Sequence, residues 1–323
     1  MNNVVIKDFT VLHFHDPAAV LCNFVLVSND NQCLAYGLLD IQKSGLPVVA
    51  TLHHPITRDF QLALNAATNS WQRLLVRRWH SFLRMQGKVV RELNHVLTVS
   101  VQSQHDIAEA FGRPLQNIPV MYNGIDTDVF KPLKGINRQA NLLITTSSAD
   151  QPLKGLRFLL EAMAQLRGTY PALRLQVIGK LKAGGNTESL LHRLKLTQAV
   201  EFTSGISTNE LVEHYNRATL AVSPSLYEGF GLPAGEAMAC ETPVIASDGG
   251  ALPEVVGEAG LVVAAGDSFS LAEAICQLLQ NPDQRRQLGK SGRKRILNKF
   301  SWQLKAQSLT HYYHRVVLSR NEN

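Results

Sequence analysis

From Asn141 onward, short apolar runs alternate with longer stretches whose apolar residues recur every three or four positions. The runs predict strands at 142–145, 173–178, 200–202, 220–223, 244–246 and 261–263. The periodic stretches predict helices at 156–166, 210–217 and 271–279. Strands of this length separated by helices imply a parallel, doubly wound α/β sheet with right-handed crossovers. In such a sheet a ligand sits at the carboxyl ends of the strands, where helices begin.

The first part of the chain shows the same alternation less completely. Strands are expected at 47–51, 96–100 and 118–122, with a further one at 11–13, and a short helix at 106–111. Asn123-Gly124-Ile125-Asp126, followed by Pro132, Gly135 and a polar stretch, reads as a linker. The longest helical pattern spans 71–93, where Trp71, Leu74, Leu75, Trp79, Phe82, Leu83, Val90 and Leu93 share one stripe. Arg73, Arg77, Arg84, Lys88 and Arg91 lie mostly off it. Two readings fit this stripe: packing on the sheet, or contact with an anionic membrane surface.

Composition narrows the class. The 323 residues suit about two domains. With 45% hydrophobic and 18% charged residues, the chain has the make-up of a folded protein. The net charge of +6 suits an anionic partner, and no zinc-finger or RNA-binding signature points to nucleic acid. Cys22, Cys33, Cys240 and Cys276 are scattered, which suits neither a disulfide framework nor a metal site. No apolar run approaches the ~20 residues that cross a bilayer, and the first residues do not read as a signal peptide. The expectation is a cytoplasmic protein, with membrane association through the basic helix as the variant reading.

The segment from Ser223 to Ala239 carries the most chemistry. A strand ends in Pro224-Ser225-Leu226-Tyr227-Glu228-Gly229-Phe230-Gly231-Leu232, and a helix starts at Pro233, a residue suited to a first helical turn. The amides of Gly229, Phe230, Gly231 and Leu232 then lie at a helix N-terminus, where a phosphate is favoured. Glu228 stands on the loop, and Glu236 stands about one turn inside the helix. Both can face a ligand at the strand end, where hydrogen bonds to sugar hydroxyls suit them better than a phosphate does.

Pro-Ser-Leu-Tyr-Glu-Gly-Phe-Gly-Leu-Pro, continued through Glu236-Ala237-Met238-Ala239, resembles the Glu-x7-Glu signature of glycosyltransferase family 4, a retaining family of GT-B fold. Pro243 to Gly250, Pro253-Glu254-Val255, Asn123 to Asp126 and Asp150 to Leu156 follow in the family's order. The resemblance implies two Rossmann-like domains facing a cleft: residues 1–135 on the acceptor side, 136–300 binding the nucleotide sugar, and a C-terminal helix over 301–323 crossing back. It places Glu236 on the nucleotide ribose, Glu228 against the donor sugar, and the 229–232 amides on sugar or diphosphate. Lys154 would neutralise the departing diphosphate, and His53, at a strand end beside His54, would serve the donor sugar or acceptor. An Arg usual in relatives is replaced near Ser147 and Ser148. The implied donor is a nucleotide-diphosphate sugar and the acceptor is unidentified. Neither metal nor cofactor is required, and Asp126-Thr127-Asp128 reads as a turn rather than a metal motif.

The first domain departs from the pattern. Six glycines precede residue 136, no two adjacent, so the usual first strand, Gly-rich turn and helix have no counterpart. A shortened N-terminal domain is therefore expected, with self-association through an exposed edge as one consequence. A binding subunit without transferase activity and a nucleotide-sugar epimerase of the same fold remain alternatives.

Overall fold

The computed structural model describes residues 25–29, 36–67, 69–147 and 150–318. The chain divides into two compact units: Met1–Tyr122 with Lys305–Asn323, and Asn123–Leu304.

In the first unit, β1 (Val25–Asn29), β2 (Val48–Leu52) and β3 (His95–Thr98) form a parallel sheet in that order. Helix α1 (Gly37–Lys43) connects β1 to β2. Helices α2 (Thr57–Ala66), α3 (Ser70–Trp79) and α4 (Leu83–Glu92) lead from β2 to β3, and α5 (Val101–Phe111) follows. Alternation along β2 sorts its side chains between the two faces of the sheet. Val48, Ala50 and Leu52 pack with Val89, Val90, Leu93, Ile107 and Phe111. Val49 lies with Leu97 on the other face.

Two expectations for this unit are corrected. Residues 118–122 form no strand: Val120 makes an isolated bridge to Thr98, flanked by Thr98 N donating to Pro119 O and Met121 N donating to Thr98 O. Pro119 has no N–H to extend the ladder. The stripe at 71–93 is not one helix, because residues His80–Phe82 tighten into a 3-10 turn where the His80 ring sits 2.8 Å from Val76 O. Past the turn, α4 buries Val89 and Val90 in the core; before it, α3 buries nothing. The strand expected at 11–13 and the expected lack of a first strand–turn–helix both concern residues outside those described.

The second unit holds a six-stranded parallel sheet in the order β6-β5-β4-β7-β8-β9. Its strands are β4 (Leu142–Thr146), β5 (Arg174–Ile178), β6 (Val200–Thr203), β7 (Leu220–Ser223), β8 (Val244–Ser247) and β9 (Leu261–Val263). These match the apolar runs read from the sequence to within a residue or two. The connecting helices are α6 (Leu156–Leu166), α7 (Asn186–Arg193), α8 (Thr208–Arg217), α9 (Leu232–Ala239), α10 (Leu252–Val256), α11 (Ser268–Gln280) and α12 (Pro282–Lys299). The core joins Leu159, Leu160 and Met163 of α6 to Leu143, Leu175, Val177 and Leu220 of the sheet, and to Ile275 and Leu278 of α11. The strand order reverses between β4 and β7, and a crevice opens at the carboxyl ends of such a pair.

Helix α13 (Trp302–Leu318) closes the described chain, and its Tyr312 and Val316 join Val49 and Leu97 in the first unit. Where α13 begins, Ile125 N donates to Phe300 O and Trp302 N donates to Ile125 O. A Cβ on Gly124 would come within 2.7 Å of Trp302 Cα, so only glycine allows this approach.

One arginine serves each unit in the same way: Arg113, which is buried, and Arg138, whose guanidinium is covered while the residue stays partly open to solvent. Arg113 donates to Val90 O and Leu93 O at 2.6 Å, and to Asn94 O and Asn117 O at 3.0 Å. Arg138 donates to Ala218 O at 2.7 Å, Glu241 O at 2.8 Å and Thr242 Oγ1 at 3.1 Å. Most of these carbonyls lie at or just past the C-terminal ends of helices, α4 for Arg113 and α8 and α9 for Arg138, where the macrodipole also favours a cation; Asn117 O ends a separate 3-10 turn, Leu115–Asn117. Replacing either with Met strands several carbonyls. Arg113→Met and Arg138→Met are each expected to cost about 3 kcal/mol in urea unfolding followed by far-ultraviolet circular dichroism, with Lys restoring only part of the loss.

Candidate functional site

The chain leaving β4 and the chain leaving β7 meet at the switch point. After β4, Asp150 adopts a left-handed conformation (φ 61°). Its Oδ1 accepts from Thr187 N at 2.8 Å and Thr187 Oγ1 at 2.9 Å, holding the first turn of α7. A 3-10 turn, Pro152–Lys154, follows, and Gly155 at φ 64° leads into α6. A Cβ on Gly155 would fall 1.9 Å from Pro224 O, so the turn carrying Lys154 rests directly on the loop after β7. Leu226 N donates to Leu153 O at 2.8 Å and fixes the register between the two.

The other side of the β7 loop is held by the turn after β8. Ser247 Oγ donates to Ser225 O. A Cβ on Gly249 would lie 2.2 Å from Ser225 O, and one on Gly250 would lie 2.3 Å from Glu228 O. Ala251 N donates to Glu228 O at 2.9 Å. The loop bearing Glu228 is thus pressed between two glycine turns, which leaves its backbone little freedom of placement.

Within that clamp the structure brings two of the sequence-predicted residues together. Lys154 Nζ lies 2.8 Å from Glu228 Oε1, and Ser225 Oγ donates to the same oxygen at 2.9 Å. The side chains are 31% and 14% exposed, so the ammonium remains reachable from solvent while the carboxylate is largely enclosed. Ser225 was not singled out from sequence, although it stands within the quoted motif.

Glu236 lies on α9, with its carboxylate turned toward the sheet. Tyr215 Oη donates to Glu236 Oε2 at 3.2 Å and lies 3.1 Å from Thr146 Oγ1. Burial pushes the Glu236 carboxyl above its usual range, and the Tyr215 hydrogen bond partly opposes that. Gly231, at φ 98°, precedes α9, and a Cβ there would meet Leu252 Cδ2 at 2.7 Å. The Phe230 ring is buried and makes an edge-to-face contact with Phe300, 5.6 Å away. Leu232 is 40% exposed. The first amides of α9 have no partner within the helix and carry its positive end.

His53 belongs to the first unit. It follows β2, and its carbonyl accepts from Ser103 Oγ at 2.8 Å, beside the N-terminus of α5. Ser147 is buried, its amide donating to Ile178 O at 3.1 Å, and Ser148 lies outside the described residues. Asp126 Oδ1 accepts from Asp128 N and Val129 N at 3.1 Å, a turn-forming use of its carboxylate. Among the described residues no group of three or more His, Cys, Asp or Glu side chains gathers as a metal site.

Comparison with known proteins covers both halves of the chain. The family described as Glycosyl transferases group 1 matches residues 130–295, and the one described as Glycosyltransferase Family 4 matches residues 5–129. The chain is 44% identical over 294 residues to the MMP alpha-(1->4)-mannosyltransferase of Mycolicibacterium hassiacum, covering 90% of this chain and 71% of the relative. Of other relatives it spans as little as 54% of the length. Among solved structures it resembles sucrose-phosphate synthase from Thermosynechococcus elongatus, with a TM-score of 0.75 and 26% identity over 92% of this chain and 74% of that one. It also shares the fold of HepE from Anabaena, solved in complex with UDP and glucose, with a TM-score of 0.75 and 20% identity over 91% and 78% of the two chains. Sheet order, the clamped loop at the switch point and these matches agree: the chain belongs to glycosyltransferase family 4, the group 1 glycosyl transferases of GT-B fold.

Proposed function

We propose that the chain transfers a sugar, with mannose the first to test, from a nucleoside-diphosphate donor to an acceptor hydroxyl, with retention of configuration and without a metal. The observation that carries this reading is the Lys154–Glu228–Ser225 cluster beside the N-terminus of α9. Mannose is suggested by the 44% identical mannosyltransferase, and a nucleoside diphosphate by the UDP bound in HepE.

On this reading the diphosphate lies against the amides of Gly229, Phe230, Gly231 and Leu232. Lys154 compensates the negative charge that grows on the leaving phosphate, the largest contribution such a site can make. Glu228 then exchanges its ion pair for hydroxyls of the donor sugar, and Glu236 holds the ribose. The anomeric C–O bond to phosphate breaks as the acceptor oxygen bonds to that carbon from the same face, and the acceptor proton passes to the departing diphosphate. His53 serves the sugar or the acceptor. No cation other than Lys154 is invoked, because the position near Ser147 is not basic.

The exposed half of the divided stripe favours a second role, contact with an anionic lipid surface. Trp71, Leu74, Leu75 and Trp79 are 66%, 55%, 47% and 70% exposed, and Arg73, Arg77 and Arg78 are exposed on the same helix. Apolar side chains flanked by arginines complement acidic headgroups above an apolar interior.

Thermal stability against UDP-, GDP- and ADP-sugars is expected to rise with one nucleotide family, and the rise is lost in Glu236→Ala. Lys154→Ala is expected to lower kcat by about 100- to 1000-fold, the scale of losing one preorganised charge-stabilising donor. Proton nuclear magnetic resonance of the product should show the donor's anomeric configuration; an inverted product rejects the mechanism. Co-sedimentation with phosphatidylglycerol vesicles is expected to drop sharply in Trp71→Ala/Trp79→Ala, whereas equal pelleting with neutral vesicles would remove the lipid role.

A further inference from the structure

We infer that Tyr215 is a positioning residue for nucleotide recognition: it sets the Glu236 carboxylate through a directed chain of hydrogen bonds that starts at Thr146. The inference rests on the reading of Glu236 as the ribose-binding group.

Tyr215 stands on α8 and is 1% exposed. Its hydroxyl lies between Thr146 Oγ1 at 3.1 Å and Glu236 Oε2 at 3.2 Å. A phenol has one proton to give, and an ionised carboxylate can only accept. The Tyr215 proton therefore points to Glu236, and the Thr146 hydroxyl donates in turn to the Tyr215 oxygen. The chain has one direction, from the last residue of β4 to the carboxylate on α9.

The surroundings of Glu236 make this bond consequential. A glutamate side chain has three rotatable bonds, and the Tyr215 hydroxyl gives the Glu236 carboxylate a fixed point. Gly235 beside it is constrained, since a Cβ there would fall 2.1 Å from Ile125 Cδ1. A bond to Oε2 fixes the plane of the carboxylate while Oε1 and the remaining lone pair of Oε2 stay available. Two acceptor positions on one rigid carboxylate match the adjacent hydroxyls of a ribose, and match a 2′-deoxyribose only half as well. Thr146 is the last residue of β4, so the carboxylate is referred to the sheet rather than to a loop. Tyr215 is held in turn by the Phe130 ring, 6.3 Å away at 60°, and by its carbonyl accepting from Thr242 Oγ1 at 2.7 Å.

A tyrosine that only fills space would be replaced by phenylalanine without effect on ligand choice. The test is isothermal titration of UDP, GDP and ADP, each with its 2′-deoxy form, into wild type, Tyr215→Phe, Thr146→Val and Glu236→Gln. For the nucleotide that binds wild type, Tyr215→Phe is expected to weaken the ribonucleotide about tenfold, the scale of one charge-assisted hydrogen bond, and to leave the deoxy form within about twofold. Thr146→Val should show the same pattern more weakly, about threefold. Donor KM should rise with kcat little changed, and the melting temperature of the free protein should hold. An unchanged ribose preference in Tyr215→Phe, or equal weakening of both forms, overturns the inference while leaving Glu236 in place. A wild type that binds none of the three, or binds both forms alike with Glu236→Gln indifferent, overturns the Glu236 reading and this inference with it.

Discussion

The second unit depends on one close approach: the Gly155 Cα against the Pro224 carbonyl. A Cβ would stand 1.9 Å from that oxygen, so the backbone itself is the spacer. That contact brings the turn after β4 down on the loop after β7, and it sets the Lys154 ammonium at hydrogen-bond distance from Glu228. The turn after β8 repeats the device with Gly249 and Gly250 on the far side of the same loop. A loop fixed by backbone contacts keeps its shape whichever side chains point into the crevice. The carboxylates can therefore be tuned by neighbours such as Ser225 and Tyr215 without moving the frame.

Much of this frame was legible in the chain. The strands of the second unit are short apolar runs bounded by turn residues, and burial on both faces of a parallel sheet produces that pattern. The pairing of Glu228 and Glu236 with a helix start was also legible, because Pro233 and the glycines mark where the strand gives way. Their roles came only with the family resemblance, since spacing alone describes any strand–turn–helix. What could not be read was tertiary. No local signal says that Gly155 lies under Pro224, or that Gly250 lies under Glu228. Tyr215 on an amphipathic helix reads as a core residue, and it is one; its hydroxyl's partner is set by a strand 69 residues earlier in the chain.

The first unit shows where pattern misleads. Residues 118–122 have a strand's composition, yet Pro119 withholds the N–H on which a ladder would continue, and a single bridge results. In 71–93 the apolar periodicity is real, but periodicity says that a face exists and not what covers it. The 3-10 turn at His80 separates a half that packs on the sheet from a half that does not. No local signal marks Arg113 or Arg138, and only the folded chain shows the carbonyls each one gathers.

The exposure of α3 also governs how the molecule reports on itself in light. The chain has three tryptophans, Trp71, Trp79 and Trp302, at 66%, 70% and 46% exposure. An indole in contact with water already emits at long wavelength. The native fluorescence is therefore that of a surface, and it is silent on the packing of either sheet. Loss of the fold would move this emission little, whereas anything that settles over α3 would shift it to the blue.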